Sequence, residues 1–465
     1  MKDIFFLEKT KSYFSHTPTP QQERLLTLLT DFVINASDAV FILKGYAGTG
    51  KTSIVSALIQ TMDELKQPVV LLAPTGRAAK ALANYSNHPA YTIHKKIYRQ
   101  QIVGGPEGSF SLDVNLHKHT LFIVDEASMI ANYNDGPFGS GHLLDDLISF
   151  VYSCEGCRMI LVGDTAQLPP VGQEISPALD PNFYRGTYLQ PISYKLTEVV
   201  RQANESGILF NATRLREIIA ADGYSQFPKI DFSLPDVCKI SGEELIEEIS
   251  SAYGKYGSDD TMVISRSNKR ANIFNNGIRN RILYREEELS SGDQLMVVKN
   301  NYFWSKQTEG KLDFIANGDI MRLKRIRHTY EMYGFRFADV LLYLPDYDVE
   351  LEARILLDTL QSESPSLTRE ESDNLYNAVQ EDYLHIGNKR ERYKQMKEDP
   401  WLNALQVKFA YAITCHKAQG GQWSTIFLDQ GYITEEMINR EYYRWLYTAF
   451  TRATEKLYLI NWRED

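Results

Sequence analysis

The sequence predicts an α/β fold with two domains built on parallel sheets. Short, apolar segments recur along the chain, and stretches with helical spacing follow them. Strands that are apolar on both faces are typical of parallel sheets covered by helices on both sides. The segments fall into two sets separated by residues 165–260, which indicates two domains of this kind.

The first set holds four predicted strands and the second set three. In chain order they are AVFILKG (39–45), PVVLLAP (68–74), TLFIVDE (120–126), RMILVGD (158–164), TMVISRSN (261–268), STIFLDQ (424–430) and KLYLINW (456–462). Gly, Asp, Pro or Asn stands at or near the end of each segment, as expected where strands stop. We therefore predict a first domain in residues 1–190 and a second domain in residues 191–310 and 407–465.

Two insertions interrupt this alternation. Residues 98–118 contain two short alternating segments around GGPEGS, a pattern typical of a β-hairpin with a long loop. Residues 311–406 interrupt the second domain, with mixed strands up to about residue 345 and a charged, helix-like stretch over 347–400. We expect a hairpin that projects from the first domain and a separate insertion in the second.

Composition indicates a globular chain and restricts its partners. The 465 residues are 43% hydrophobic and 24% charged, which is enough for several packed domains. A net charge of −10 argues mildly against nucleic acid, so any such site must be a local groove. Basic stretches occur at 324–328 and 388–397, and for both a solvated face is the favoured interpretation.

Cysteine content and hydropathy point to the cytoplasm. Four cysteines cannot form a disulfide framework in a chain of this length. Cys154 and Cys157 form a C-x-x-C pair, but Cys238 and Cys415 stand alone, which disfavours a zinc site. The N-terminus lacks a signal-peptide pattern, and no apolar run approaches the ~18 residues of a membrane span. We expect a cytoplasmic protein with no membrane partner.

The segment GYAGTGKT, residues 45–52, is the candidate phosphate loop. Its glycines allow backbone N–H groups to surround phosphates at a helix N-terminus. In this pattern Lys51 reaches the terminal phosphates and the Thr52 hydroxyl ligates magnesium. A Gly-rich turn without function is the alternative, which the flanking strand and helix disfavour. The loop therefore predicts binding of ATP with Mg²⁺.

Asp125 and Glu126 end the third predicted strand, and we call them the acidic pair. Ligands of open α/β sheets bind at the carboxyl edge, where this pair would lie. Asp125 would hold magnesium, and Glu126 would orient or deprotonate the attacking water. The alternative is an ordinary strand end.

Residues 163–172, GDTAQLPPVG, form what we call the coupling segment. If their strand lies beside that of the acidic pair, Gln167 stands near the γ-phosphate and can report whether ATP or ADP is bound. Pro169 and Pro170 stiffen the backbone that leads away. We expect this segment to couple the nucleotide to a second site, with an ordinary loop as the alternative.

Nine ordered motifs span residues 19–453. They are TPQQ (19–22), GYAGTGKT (45–52), APTGRAAK (73–80), TIH (92–94), DEASM (125–129), GDTAQLPPVG (163–172), LTEVVRQ (196–202), TCHKAQGGQW (414–423) and YTAFTRA (447–453). Together they resemble the motifs of superfamily-one helicases, and most closely the RecD-like subclass, an AAA-type ATPase with UvrD-like C-terminal helicase motifs. The resemblance implies two RecA-like P-loop domains, a β-hairpin pin in the first, and a small β-barrel plus helical insertion in the second.

The resemblance also implies roles for residues at the nucleotide. Gln22 would read adenine, and two arginines would reach the γ-phosphate across the interdomain cleft. The implied ATP-binding residues are Gln22, Gly45, Gly48, Thr49, Gly50, Lys51, Thr52 and Ser53. The catalytic set is Lys51, Asp125, Glu126, Gln167, Arg201 and Arg452, with Thr52 and Asp125 at the metal. For either arginine, a surface ion pair is the alternative.

A further set falls in motifs that resemble those contacting single-stranded DNA. Short hydroxyl and imidazole groups on loop ends suit phosphate contacts, which position a strand without reading its sequence. The implied residues are Thr75, Arg77, Thr92, His94, Pro169, Pro170, Asn268, Thr414 and His416. His94 and His416 could instead be loop histidines with protein partners.

The function implied by the resemblance is that of an ATP-dependent DNA helicase moving 5′ to 3′ on single-stranded DNA. Its partners would be single-stranded and forked DNA in repair or recombination, and we expect a monomer. One alternative is a DNA-stimulated ATPase or translocase that remodels protein–DNA complexes with little strand separation. A DNA-binding scaffold with a dead ATPase is the other. A nuclease is disfavoured because we find no separate carboxylate cluster suited to two metals.

Overall fold

The computed structural model describes residues 2–14, 17–100, 110–133, 139–199, 206–224, 226–308, 312 and 314–463. The elements up to residue 196 comprise the following strands and helices. The strands are β1 (Ala39–Gly45), β2 (Val69–Ala73), β3 (Ala90–Thr92), β4 (Tyr98–Gln100), β5 (Phe110–Leu112), β6 (Leu121–Val124), β7 (Arg158–Gly163) and β8 (Gln190–Leu196). The helices are α1 (Lys2–Ser12), α2 (Pro20–Asn35), α3 (Lys51–Glu64), α4 (Gly76–Ser86), α5 (Ile93–Ile97) and α6 (Leu143–Tyr152).

The remaining elements form the second domain and its insertion. The strands are β9 (Val237–Ile240), β10 (Thr261–Ser265), β11 (Gln294–Val297), β12 (Ile320–Met332), β13 (Phe335–Leu344), β14 (Val349–Leu356), β15 (Leu405–Phe409), β16 (Ala412–Thr414), β17 (Trp423–Asp429) and β18 (Ala453–Ile460). The helices are α7 (Gly207–Ala220), α8 (Leu245–Tyr256), α9 (Asn268–Arg281), α10 (Arg369–Asp382), α11 (Lys389–Lys397), α12 (Cys415–Ala418) and α13 (Arg440–Phe450).

Two parallel sheets confirm the predicted α/β class. The first has the strand order β3-β2-β6-β7-β1-β8 and the second the order β16-β10-β17-β18-β9. Every pairing within them is parallel. All seven strands predicted from apolar segments are present. Their apolar composition follows from burial, which is almost complete in β1, β2, β6, β7, β10 and β17 and covers the centre and end of β18.

The inserted region is a closed barrel of β11 to β15, with helices α10 and α11 between β14 and β15. Strand β14 falls inside the stretch predicted to be helix-like, so that prediction is wrong for residues 349–356. The segment VELEARIL alternates buried and exposed side chains, as a barrel strand must. Helices α10 and α11 occupy the later part of the stretch and include the basic segment at 388–397.

Three predicted domain boundaries shift in the structure. Strand β8 pairs with β1, which extends the first sheet to residue 196 instead of 190. Strand β11 pairs with β12 and β15, so the barrel begins before residue 311 and ends after residue 406. These strands escaped detection because β8 is largely exposed and β11 is only four residues long.

The predicted hairpin is present at its base. Strands β4 and β5 pair antiparallel, with Tyr98 opposite Leu112. The Phe110 ring lies 4.9 Å from the ring of Tyr302, which precedes the second barrel strand. The loop GGPEGS falls within residues 101–109, outside the described residues.

The two domains are in direct apolar contact. Tyr46, Ala166 and Leu168 of the first domain share one buried cluster with Trp423 and Phe450 of the second. Tyr46 belongs to the phosphate loop, while the other two first-domain residues belong to the coupling segment. Any change in the angle between the domains must therefore disturb both segments.

A buried ion cluster connects the second domain to the barrel. The Asp293 carboxylate is fully buried and accepts from Arg279 at 3.0 Å, Arg285 at 2.8 Å and the Tyr411 hydroxyl at 3.0 Å. Asp293→Ala would leave two cations without their counterion, so we expect a loss of about 3–5 kcal/mol in unfolding free energy. Urea unfolding followed by circular dichroism measures this loss.

The matched control is Glu398→Ala, which removes an exposed ion pair with Lys306. Exposed pairs contribute about 0–1 kcal/mol. Equal, small losses for the two variants would contradict a structural role for the buried cluster.

Candidate functional site

The carboxyl edge of the first sheet gathers the predicted nucleotide residues. The phosphate loop follows β1, the acidic pair follows β6, and the coupling segment continues from β7. Because β6, β7 and β1 are neighbours in a parallel sheet, all three segments leave it at the same edge.

The phosphate loop has the backbone geometry that its glycines permit. Gly48 and Gly50 have φ angles of 74° and 83°, in the left-handed region. A Cβ at Gly45 would lie 2.9 Å from Cγ of Lys51, so the lysine stem needs that glycine. Gly50 begins α3 without a side-chain cap, which leaves N–H groups of the first turn, including those of Thr52 and Ser53, without a capping side chain.

The Lys51 ammonium donates to two carbonyls of its own loop. Nζ lies 2.7 Å from the Gly45 oxygen and 2.8 Å from the Tyr46 oxygen. These contacts hold the ammonium against the loop backbone. Terminal phosphates offer a stronger, charge-assisted acceptor for the same group.

Gln22 is fixed against the phosphate loop. Thr19 caps α2 and forms a capping box with Gln22, since each side chain accepts from the other's backbone N–H. The Gln22 side chain also donates to the Thr49 carbonyl at 3.1 Å and is buried. Thr49 in turn donates its hydroxyl to the Tyr46 carbonyl at 2.8 Å. The reading of adenine by Gln22 stays a prediction.

The acidic pair is held by contacts that the sequence did not reveal. The Tyr85 hydroxyl donates to Oδ2 of Asp125 at 2.5 Å, and the Glu126 N–H donates to Oδ1 at 2.8 Å. Glu126 has a φ of 51°, an uncommon conformation for a residue with a side chain. Such strain clusters at functional sites, where the surrounding structure maintains it.

Charges from both domains converge on Glu126. Burial raises the pKa of the Glu126 carboxyl, whereas the positive charges of Arg452 and Lys51 lower it. Arg452 is the largest of these opposing influences, although it belongs to the second domain. The structure therefore brings the phosphate-loop lysine, the acidic pair and Arg452 together.

Arg452 is buried, with 3% of its surface exposed. Its Nε donates to the Thr448 carbonyl at 3.0 Å, and its Nη1 donates to the Gly421 carbonyl at 3.2 Å. Carbonyl contacts orient the guanidinium without neutralising its charge, which excludes the alternative of a surface ion pair. Arg201, the other predicted arginine, lies outside the described residues.

The oxygens at the predicted metal position suit magnesium. Mg²⁺ binds through one or two protein oxygens together with phosphates and waters. The Thr52 hydroxyl is exposed on the first turn of α3, and Asp125 supplies a carboxylate that is partly exposed. Within the described ranges, no group of three or more His, Cys, Asp and Glu side chains is placed to hold a metal by itself.

The second domain contacts the coupling segment directly. The Leu168 N–H donates to the Thr448 hydroxyl at 2.8 Å, and Gln419 donates to the Leu168 carbonyl at 2.7 Å. Gln167 is buried, and its Oε1 has no hydrogen-bond partner among the described residues. A buried amide oxygen at this position is suited to accept a hydrogen bond from a ligand or a water.

Two of the residues predicted to contact DNA, Thr75 and Thr92, also cap helices. Thr75 caps α4 and Thr92 caps α5, each accepting from a backbone N–H at 3.2 Å. Burial lowers the pKa of His94 to about 4, so this imidazole is neutral at physiological pH. Asn268 donates to the Glu363 carbonyl at 3.3 Å.

Among the other residues predicted for DNA, Arg77 lies at the contact between domains. The Arg77 guanidinium stands 4.5 Å above the Trp423 ring, and burial lowers its pKa. Thr414 caps α12 by position, while His416 is exposed beside it. Pro169 and Pro170 are half-buried after the coupling segment leaves β7. Their contacts with DNA stay predictions.

A cavity of about 260 Å³ lies between the first domain and the barrel. The Lys80 ammonium crosses this junction, donating to the Pro345 carbonyl at 2.7 Å and pairing with Asp346 at 3.4 Å. Residues from both sides line the cavity, including Gly76, Thr92, Lys95, Phe314 and Tyr347. Polar and aromatic groups around an open groove suit an extended, anionic chain.

The basic stretch 324–328 lies on β12 with exposed cations, of which Arg327 pairs with Glu352. Cys157 donates its thiol to the His117 carbonyl at 3.0 Å. No helix in the described part of the chain is both long and apolar enough to cross a membrane.

Two family models match the chain. The model described as an AAA domain covers residues 19–217, and the UvrD-like helicase C-terminal domain covers residues 409–460. The first range contains the phosphate loop, the acidic pair and the coupling segment. The second range contains Arg452 and Gln419.

Helicases are among the proteins and solved structures to which the chain is similar. The chain is 33% identical to the ATP-dependent RecD2 DNA helicase of Deinococcus radiodurans over 175 residues, which are 37% of this chain and 21% of that protein. It is 23% identical to the ATP-dependent DNA helicase dda of Enterobacteria phage T4, over 81% of this chain and 84% of the relative. A crystal structure of Pif1 helicase from Bacteroides with ADP-AlF3 and ssDNA aligns with a TM-score of 0.42 at 16% identity, covering 96% and 93% of the two chains.

Proposed function

We propose that this chain, which belongs to the superfamily-one helicases of the RecD-like group, hydrolyses ATP to move along single-stranded DNA and unwinds duplex DNA. The observation that carries the proposal is the convergence of Lys51 and Glu126 from one domain with Arg452 from the other. A site completed from two domains makes hydrolysis depend on closure of the cleft. Closure is then available to drive movement.

Each nucleotide residue has a role in this scheme. Lys51 binds the terminal phosphates, and Arg452 stabilises charge that develops during transfer. Glu126 orients the attacking water and accepts its proton, for which a raised pKa is suitable. Thr52 and Asp125 would hold a magnesium ion, which supplies charge neutralisation at the phosphates.

The coupling segment connects this chemistry to the second domain. Gln167 stands at one end of the connection, and the Leu168 peptide beside it is held by Thr448 and Gln419. A change at the nucleotide can therefore reach the second domain through one peptide unit. Alternating closure and opening of the cleft would then advance the chain along a strand.

The direction of movement is proposed as 5′ to 3′, on the basis of the RecD-like resemblance. The test uses two partial duplexes, one with only a 5′ single-stranded tail and one with only a 3′ tail, with ATP and magnesium. We expect unwinding of the 5′-tailed substrate alone, measured by release of a labelled strand. Preferential opening of the 3′-tailed substrate would contradict the proposed polarity.

A DNA-stimulated translocase with little strand separation is the second candidate. It is favoured if single-stranded DNA accelerates ATP hydrolysis while neither tailed duplex opens. The two candidates share the nucleotide site and differ in the hairpin, whose base is anchored by Phe110 against Tyr302. Displacement of a bound protein from single-stranded DNA would then be the positive assay.

A further inference from the structure

One buried hydroxyl connects the second domain to both the phosphate loop and the coupling segment. Tyr447 on α13 is fully buried. Its hydroxyl accepts from the Ala47 N–H at 2.8 Å and donates to Oδ2 of Asp164 at 2.6 Å. The contact with Ala47 joins residues 400 positions apart.

Hydrogen-bond chemistry fixes the direction of both contacts. A backbone N–H can only donate and a carboxylate can only accept, so the single hydroxyl proton must lie toward Asp164. Burial and the neighbouring Asp164 charge raise the pKa of Tyr447, which keeps that proton in place. Replacement of the hydroxyl would leave a buried N–H and a buried carboxylate oxygen without partners.

Both hydrogen-bond partners of the Tyr447 hydroxyl belong to segments that are predicted to contact the nucleotide. Ala47 lies in the phosphate loop between Gly45 and Gly48, where the orientation of each peptide determines which N–H groups face the phosphates. Asp164 also accepts from the Ala166 N–H at 2.9 Å, which fixes the turn that leads to Gln167. The same hydroxyl thus acts on the loop that binds phosphate and on the segment that senses it.

We propose that Tyr447 is a positioning residue whose hydroxyl aligns the phosphate loop and Asp164 only while the second domain is closed against the first. The inference rests on the proposed function, because its consequence is the coupling of domain closure to ATP hydrolysis. Opening of the cleft would withdraw the hydroxyl and release both partners at once. Arg452, just after the end of α13, acts on the charge of the reaction, whereas Tyr447 acts through the loop backbone.

The Tyr447→Phe variant separates the hydroxyl from the ring, which packs in the interdomain cluster. We expect kcat for ATP hydrolysis with single-stranded DNA to fall roughly tenfold or more, as loss of one buried hydrogen-bonding group predicts. KM for ATP should change less than about threefold, because the alignment matters most in the transition state.

The matched control is Tyr443→Phe. Tyr443 lies one turn earlier on α13, is equally buried, and donates its hydroxyl to the Gln226 carbonyl at 2.7 Å. It contacts neither the phosphate loop nor the coupling segment through that hydroxyl. Equal losses of kcat in the two variants, or an unchanged kcat in Tyr447→Phe, would overturn the inference.

A second measurement separates this inference from the proposed function. Small-angle X-ray scattering with a non-hydrolysable ATP analogue should show compaction of the wild-type protein and of Tyr443→Phe, and weaker compaction of Tyr447→Phe. If DNA does not stimulate ATP hydrolysis by the wild-type protein, the proposed function fails. The role of Tyr447 is then decided by kcat without DNA and by the difference in compaction between Tyr447→Phe and the wild-type protein. Full compaction of Tyr447→Phe would overturn that role.

Discussion

Lys51→Met is expected to abolish unwinding and to lower kcat for ATP hydrolysis by about 100- to 1,000-fold, the effect of losing one preorganised cationic or hydrogen-bonding group at a transferring phosphoryl group. Methionine retains a stem that packs against Gly45, where the lysine Cγ leaves no room for a larger residue. The substitution therefore removes the ammonium with little loss of packing. Steady-state hydrolysis with and without single-stranded DNA measures the effect.

Lys44→Met provides the control for this variant. Lys44 is the preceding lysine on β1, and burial lowers its pKa, but its position is outside the phosphate loop. Thermal melts should show that both variants remain folded, and only Lys51→Met should lose hydrolysis. Retention of more than a tenth of the wild-type kcat in Lys51→Met would contradict the assigned role of the lysine.

Local patterns predicted the parts of the fold that local forces determine. The segment AVFILKG was predicted as a strand over 39–45, and β1 covers the same residues. Continuous burial leaves no ambiguity there, because both faces of the strand are covered. Strand β8 is a sheet edge with mostly exposed side chains, so its hydrophobic signal is weak. Detection of β8 needed its pairing with β1.

The candidate site also contains residues that local sequence predicts and contacts that it does not. The phosphate loop and the acidic pair are contiguous in sequence, so their spacing carries their chemistry. Tyr85 contacts Asp125 across 40 positions, and Tyr447 contacts Ala47 across 400. Such contacts are set by the packing of helices and domains, and no spacing within a motif encodes them. Tyr447 lies in the motif YTAFTRA, in which the resemblance implies a role only for the arginine.

Packing also adds structural contacts to residues that a motif identifies. Arg77 was predicted to contact DNA, and the structure places its guanidinium above Trp423 of the other domain. A cation stacked on an aromatic ring across a cleft stabilises the closed arrangement. The motif that resembles a DNA-contacting one therefore also contributes a contact between the two closed domains. Interdomain contacts of this kind connect residues predicted to bind DNA to the residues of the second domain.

Arg452→Ala is expected to lower kcat by about 1,000-fold or more, the range for an arginine that stabilises charge in phosphoryl transfer. Binding of ATP should change far less, because the guanidinium acts on charge that develops in the transition state. Removal of the cation also leaves Glu126 without its largest stabilising charge. The pKa of that carboxyl should rise further, which would move the acid limb of the pH–rate profile to higher pH.

Two comparisons make this result specific to the position of the charge. Arg452→Lys keeps the charge but cannot donate to both the Thr448 and Gly421 carbonyls from a planar group, so it should recover only a minor part of the activity. Arg354→Ala removes a half-buried guanidinium from the barrel, where it pairs with Asp339, and should lower stability while leaving kcat near the wild-type value. If Arg452→Ala lowered affinity for the ATP analogue as much as kcat, the arginine would serve binding and hydrolysis would not require the closed cleft.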